Sequence, residues 1–309
     1  MTRVRVGLLL PTRERTVTHE YDPAGLLALA RAAEQTGLDS LWVGDSLTAR
    51  PRPEPLTLLA AIAATTERIT LGTAALTATL RSPLVGAHAV ATLDQITGGR
   101  LTVALGSGFP LPETEDEFAA AGVPAHHRAS RLDETVRIWR NTWTSGAEFH
   151  GRYWTLPTTD LVPPARQGGP PLWLAGGDGP KVLERVAISY DGWLPFLPDP
   201  DAYAAAWRQI RARRRTAGLY ATVYLDPDTD RAEERLDEYT RAYYRRSLTE
   251  MASIQAFHAG TAREIADWLA CYVEAGAQHL VLRLGALTID EQWRRFADQL
   301  LPLLRDRFG

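Results

Sequence analysis

The stretch Leu172-Trp173-Leu174-Ala175-Gly176-Gly177-Asp178-Gly179-Pro180 packs a strand, a turn and a helix start into nine residues. Four apolar residues in a row read as a strand covered on both faces. The glycines that follow lack side chains, so backbone N–H groups can converge on an anion there. Pro180 opens a helix whose positive dipole end points at the same spot. This is one βα unit with a phosphate cradle at its turn.

The same unit recurs in both directions along the chain. Upstream, strand-like runs fall at residues 4–10, 40–44, 69–75 and 100–106, with helical patterns at 23–36, 54–67 and 83–96. Downstream, runs at 191–194, 221–225 and 280–284 follow, with two helical stretches before the last run and a closing helix carrying Trp293, Phe296, Leu300 and Leu303. Alternation of this kind builds parallel sheets. Eight strands, each followed by a helix, predict an α/β fold of the (β/α)8 TIM-barrel type. An excursion over about 109–170 interrupts it after the fourth strand. It holds a short acidic helix near 114–121 and a longer helix with Leu132, Val136, Trp139 and Trp143 on one face. A doubly wound open sheet would carry a glycine-rich turn after the first strand. Here that turn is Pro11-Thr12-Arg13-Glu14-Arg15. The 309 residues therefore read as a single barrel domain, 1–309.

Composition narrows the function. Lys+Arg of 34 against Asp+Glu of 37 leaves a net charge of −3, which gives no electrostatic case for nucleic acid. Arg211, Arg213, Arg214 and Arg215 read as a solvated helix face. Residues 4–10 read as a strand rather than a signal peptide, and no apolar run is long enough for a membrane span, so the cytoplasm is the expected location. Cys271, the single cysteine, excludes an intrachain disulfide and reads as a small buried helix residue. His126 and His127 are adjacent, which is poor ligand geometry, and no metal site is expected. His279 reads as structural. No Gly-x-Ser-x-Gly elbow supports acyl transfer.

Barrels place reactive groups at the C-terminal ends of their strands. That rule selects Asp45 and Ser46 after the second strand, Ala74 to Thr77 at the third, and Ser107, Gly108 and Phe109 after the fourth. It also selects Gly176, Gly177, Asp178 and Gly179 after the fifth, Trp193 to Phe196 after the sixth, Tyr224 and Asp226 at the seventh, and Arg283 at the eighth. The catalytic candidates are Asp45, Ser46, Tyr224 and Arg283. Phe109, Trp193 and Phe196 make an aromatic mouth that suits a hydrophobic substrate.

Several ordered segments carry a family resemblance. They are Thr36-Gly37-Leu38-Asp39-Ser40-Leu41-Trp42-Val43-Gly44-Asp45, Arg68-Ile69-Thr70-Leu71-Gly72-Thr73-Ala74, Thr92-Leu93-Asp94 with Gly98-Gly99-Arg100, and Ala104-Leu105-Gly106-Ser107-Gly108. Glu117-Phe118, Gly122-Val123-Pro124, Arg131-Leu132-Asp133-Glu134, Pro171 to Gly177 and Asp191-Gly192-Trp193 continue the order. Over nearly the whole chain this set resembles the luciferase-like monooxygenase superfamily. The resemblance implies FMN or the deazaflavin F420 at the C-terminal mouth of the barrel. The ring would lie over strands two to four, near Asp45, Ala74, Ala75 and Leu76. The phosphate would lie at Ser107, Gly108, Gly176, Gly177, Asp178 and Gly179. The resemblance further implies a non-proline cis peptide in a bulge at Ala74–Ala75, and pairing of two copies through the apolar helices 54–67 and 83–96.

The departures from the family pattern matter as much. Luciferase proper resembles this chain with an arginine where Ser107 stands and a histidine where Ser46 stands. The sugar-oxidising F420 enzymes carry a histidine at Ser46 and a glutamate at Phe109. Neither light emission nor sugar-phosphate oxidation therefore carries over. The expected reaction is oxygenation of a small hydrophobic substrate by FMNH2 and O2, with the reduced flavin supplied by a separate reductase. F420-dependent hydride transfer is the alternative, because hydride removal from an alcohol needs a general base that these positions lack. A flavin-binding relative without catalysis is the third reading.

Overall fold

The computed structural model describes residues 3–109, 111–211 and 215–309. Its strands are β1 (Arg5–Leu9), β2 (Ser40–Val43), β3 (Thr70–Leu76), β4 (Leu101–Leu105), β5 (Phe149–His150), β6 (Thr155–Leu156), β7 (Leu172–Ala175), β8 (Gly192–Leu194), β9 (Thr216–Leu225), β10 (Ala256–Gly260) and β11 (His279–Leu284). Parallel pairing runs β11-β1-β2-β3-β4-β7-β8-β9 and closes through β9–β11. This is the expected eight-stranded TIM barrel, with β5 and β6 as a hairpin in the excursion.

Small residues inside the barrel make room for three large rings. A Cβ added at Gly72 would sit 2.4 Å from Trp42, and one at Gly192 would sit 2.5 Å from Trp173. Trp42 and Trp173 pack with ring centres 5.4 Å apart, and His279 meets them edge-on at 5.3 and 5.5 Å. Ser40 Oγ joins the plug, accepting from Trp42 Nε1 at 2.8 Å and lying 2.7 Å from His279 Nε2. The rings fill the barrel below its mouth, as close packing requires.

Two structural features differ from the sequence reading between the seventh and eighth barrel strands. That stretch holds helices Thr229–Tyr244, Leu248–Ala252 and Ala262–Glu274, and also a further strand, β10. β8 pairs only with Thr216 and Ala217 of β9, while β10 takes the same side of β9 from Ala221 to Leu225. The wedge is fixed by Ala256 N–H donating to Phe196 O at 2.8 Å. The turn after β1 is likewise ordered as helix Thr12–Val17.

The excursion is anchored from its own apolar face. Helix Arg128–Thr144 buries Leu132, Val136, Trp139 and Trp143. Trp139 and Trp143 donate their indole N–H groups to Pro83 O and Ala87 O at 2.9 and 3.0 Å. Two surface expectations are corrected. Cys271 is exposed, its thiol against Asp267 O one turn back. Arg215 is not solvated, because its guanidinium donates to Val186 O, Ala187 O and Tyr190 O at the end of helix Pro180–Ser189. Arg213 and Arg214 lie outside the described residues. No helix among the described residues is long and apolar enough to cross a membrane.

Candidate active site

A cavity of about 570 Å³ opens at the C-terminal ends of the strands. Its floor is β3. The Ala74–Ala75 peptide is cis, and the register of β3 on β4 shifts between Thr73 and Leu76. Ala74 and Ala75 both line the cavity. Leu76, expected beside them, points instead into the main core with no exposed surface, because the irregular register turns it away.

Asp45 at the end of β2 braces this floor. Its Oδ2 accepts from Thr77 N–H at 2.9 Å and from Arg81 Nη1 at 2.7 Å. Glu54 takes the other Arg81 nitrogen at 2.7 Å. Ser46 is engaged as well. Its hydroxyl donates to Glu117 Oε1 at 2.7 Å and accepts from Arg50 N–H at 2.8 Å. Glu117 Oε1 also accepts from the N–H groups of Leu47, Thr48 and Ala49 at 2.5, 2.9 and 3.2 Å. The acidic helix of the excursion, Pro112–Ala120, thus ties down the loop after β2. Both carboxylates that line the cavity are engaged by protein donors, Asp45 through both oxygens and Glu117 through Oε1.

Ser107, Gly108, Gly176 and Gly177 meet on the side of β4 and β7. The left-handed backbone of Gly108, with φ at 80°, suits glycine. A Cβ added at Gly177 would have no atom nearer than 4.0 Å, so the space above this turn is open. Arg128 and Arg185 line the same end, with Arg185 Nε held by Asp133 at 2.8 Å. Bare glycine backbone beside guanidinium groups has the donors and the room for a phosphate-bearing flavin. Asp178 and Gly179, placed by sequence in this cradle, are exposed and lie outside the cavity wall, beyond the turn.

The remaining candidates divide. Phe109 and Phe196 line the mouth with ring centres 5.3 Å apart. Trp193 does not line the cavity. Strand alternation turns it outward, where it packs on Tyr203 at 5.2 Å and donates to Gly176 O at 3.2 Å. Tyr224 is also absent from the wall. It packs with Leu236, Tyr239 and Phe257 in a separate apolar cluster under helix Thr229–Tyr244. That helix presents Tyr243 and Tyr244 to the cavity instead. Arg283 lines the cavity and is 5% exposed. His126 and His127 are exposed, away from the wall.

Sequence reasoning missed Arg50, Arg52, Glu117, Arg128, Arg185, Tyr220, Tyr243, Tyr244 and Gln255, all lining residues. Arg50 and Arg52 alternate with Pro51 and Pro53 in the loop after β2, which was the available signal.

Fold and mouth together define a barrel enzyme of the luciferase-like class. The sequence model of the luciferase-like monooxygenase family matches residues 4–279, and the chain belongs to that family, as an oxidoreductase. It is 33% identical over 328 residues to the F420-dependent glucose-6-phosphate dehydrogenase of Nocardia farcinica (strain IFM 10152), covering 93% of this chain and 95% of that one. The structure of an F420-dependent secondary alcohol dehydrogenase matches with a TM-score of 0.79 at 21% identity, over 99% of this chain and 100% of that one. A long-chain alkane monooxygenase matches with a TM-score of 0.79 at 17% identity, over 99% and 92% of the two chains. These two likenesses establish the fold.

Proposed function

We propose that this chain binds a reduced flavin at the barrel mouth and oxygenates a small organic substrate, with a separate reductase supplying the flavin. The observation that carries this reading is the engagement of Asp45 and Glu117. Asp45 is neutralised by Arg81, and Glu117 accepts from Ser46 and three backbone N–H groups. With Asp45 in an ion pair and Glu117 anchored to the loop after β2 through Oε1, both serve as braces rather than as the general base that hydride removal from an alcohol requires. Ser107, Gly108, Gly176 and Gly177 would hold the phosphate, and Ala74 and Ala75 would support the ring. When bound, reduced FMN with O2 supplies the oxygenating chemistry, and the protein supplies position and a dry site. Phe109 and Phe196 exclude water from the mouth.

F420 is the second reading, favoured by the named activity of the Nocardia farcinica relative. The same engaged carboxylates then favour F420H2 as donor to an acceptor over F420 as oxidant of an alcohol. Oxygen uptake with FMNH2 and a substrate panel, beside anaerobic F420H2 oxidation with the same panel, separates the two. Substrate-dependent turnover only in the anaerobic arm rejects oxygenation.

A further inference from the structure

The cavity has a second polar end, away from the glycine cradle, where β11, the loop after β2 and helix Thr229–Tyr244 meet. Arg50, Arg52 and Arg283 line it. Arg13 stands behind them, its guanidinium 4.9 Å from the centre of the Tyr243 ring. Arg283 lies over Tyr243 at 4.5 Å, Tyr220 at 5.3 Å and Tyr244 at 5.9 Å. Its only hydrogen bond among the described residues runs from Nη1 to the Tyr244 hydroxyl. Its Nε is buried without a hydrogen-bond partner, 3.8 Å from Glu14 Oε1, and Arg13 Nε is buried without one too.

The charges here do not balance. Glu14 is the only carboxylate at ion-pair distance from this group among the described residues, and it already accepts from Tyr239 Oη at 2.7 Å. Arg13, Arg50 and Arg52 form no ion pair among the described residues. Burial raises the phenols of Tyr220, Tyr239 and Tyr244, the first two well above the usual range, against the pull of Arg283, so none of these three supplies a compensating phenolate. Arg283 is buried and Arg13, Arg50 and Arg52 are half-buried, and partly desolvated guanidinium groups that share one carboxylate are costly. A Cβ at Gly44 would sit 2.1 Å from Arg52 Nη1, so the guanidinium here occupies space that the glycine leaves open.

We propose that Arg50, Arg52 and Arg283 bind the carboxylate of the substrate, a small organic acid with an aryl or alkyl body; this rests on the cofactor reading given above. Guanidinium forks match a carboxylate in a bidentate way, and charge-assisted pairs of this kind are the strong ones. The aromatic faces of Phe109, Phe196, Tyr220 and Tyr244 receive the apolar body. The acid thus supplies the missing counter-charge while its far end reaches toward β3.

Calorimetric titration of the full chain with benzoate, benzamide and inorganic phosphate, without cofactor, tests this. Benzoate binds saturably, and benzamide and phosphate bind at least tenfold more weakly. Arg52→Gln weakens benzoate at least tenfold, while Arg208→Gln, which removes the same charge from an exposed helix face, leaves it unchanged. If Arg52→Gln fails to fold, Arg50→Gln shows the same loss. The proposal is overturned if the wild type does not bind benzoate, if benzamide or phosphate binds as tightly, or if both variants keep wild-type affinity. FMN and F420 titrations in parallel keep the outcomes apart. Failure with benzoate alone removes this anion site, and failure with both cofactors alone removes the flavin reading.

Discussion

The Ser46 hydroxyl donates to Glu117 Oε1 at 2.7 Å, joining the loop after β2 to the helix of the excursion across 71 residues of sequence. The family resemblance implies a reactive histidine at Ser46 in several branches; here the position is a structural clasp. Glu117 is 4% exposed, and its Oε1 gathers the Ser46 hydroxyl and three backbone N–H groups from the half-buried loop after β2. Glu117→Ala is expected to cost about 1–3 kcal/mol, since four charge-assisted hydrogen bonds are lost and water can reach only part of the loop. Urea unfolding measures this, and a loss below about 1 kcal/mol would mean that the loop does not depend on the clasp.

His279 gives the fold an acid limit. Burial, with Arg5 adding to it, pushes its imidazole down to about 3, so the plug with Trp42 and Trp173 is built around a neutral ring. The unfolded chain protonates this group near pH 6.5, whereas the folded chain does not until about pH 3. Stability from this residue is therefore full above pH 6.5 and falls as pH drops, by roughly 1.4 kcal/mol per unit. Between pH 7 and pH 5 the wild type should lose about 2 kcal/mol more than His279→Gln in urea unfolding. Parallel pH dependences would contradict a neutral buried ring.

Much of this site is written in the two-residue alternation of the strands. His279, Val281 and Arg283 share one face of β11, so a plug residue at one end implies a cavity residue at the other. The same rule, applied to β8, corrects Trp193: Gly192 and Leu194 face the barrel interior, and Trp193 faces the helices. Leu76 escaped it because the irregularity in β3 breaks the alternation. β10 left little trace, since Ala256-Phe257-His258-Ala259-Gly260 is short and pairs only with the upper half of β9. Arg50, Arg52, Tyr243 and Tyr244 come from a loop and a helix end, beyond the strand tips that the barrel rule inspects.

The cradle is tested without disturbing the fold by Gly177→Asp. The added side chain has room, with the nearest atom 4.0 Å from its Cβ. It places a carboxylate where a phosphate is expected, so cofactor affinity should fall at least tenfold, about 1.4 kcal/mol, with an unchanged melting temperature. Wild-type affinity in this variant would remove the turn from the account.

Val85 and Ile96 are 65% and 49% exposed on helix Pro83–Thr97. Together with helix Pro55–Ala63 they form the surface through which a two-fold homodimer is proposed. Light scattering at micromolar concentration should give twice the chain mass of 34.1 kDa, and Val85→Glu should lower it. A monomeric wild type would contradict this.

Titration of the purified protein with FMN and with F420, each oxidised and reduced, reports directly on whether the barrel mouth holds a reduced flavin. Saturable binding of a flavin or deazaflavin is expected, with the reduced form held more tightly, loss of that binding in Gly177→Asp, and FMNH2 as the preferred ligand. Saturable binding of F420 alone would transfer the site to hydride chemistry. Binding of neither cofactor in either redox state would contradict the account.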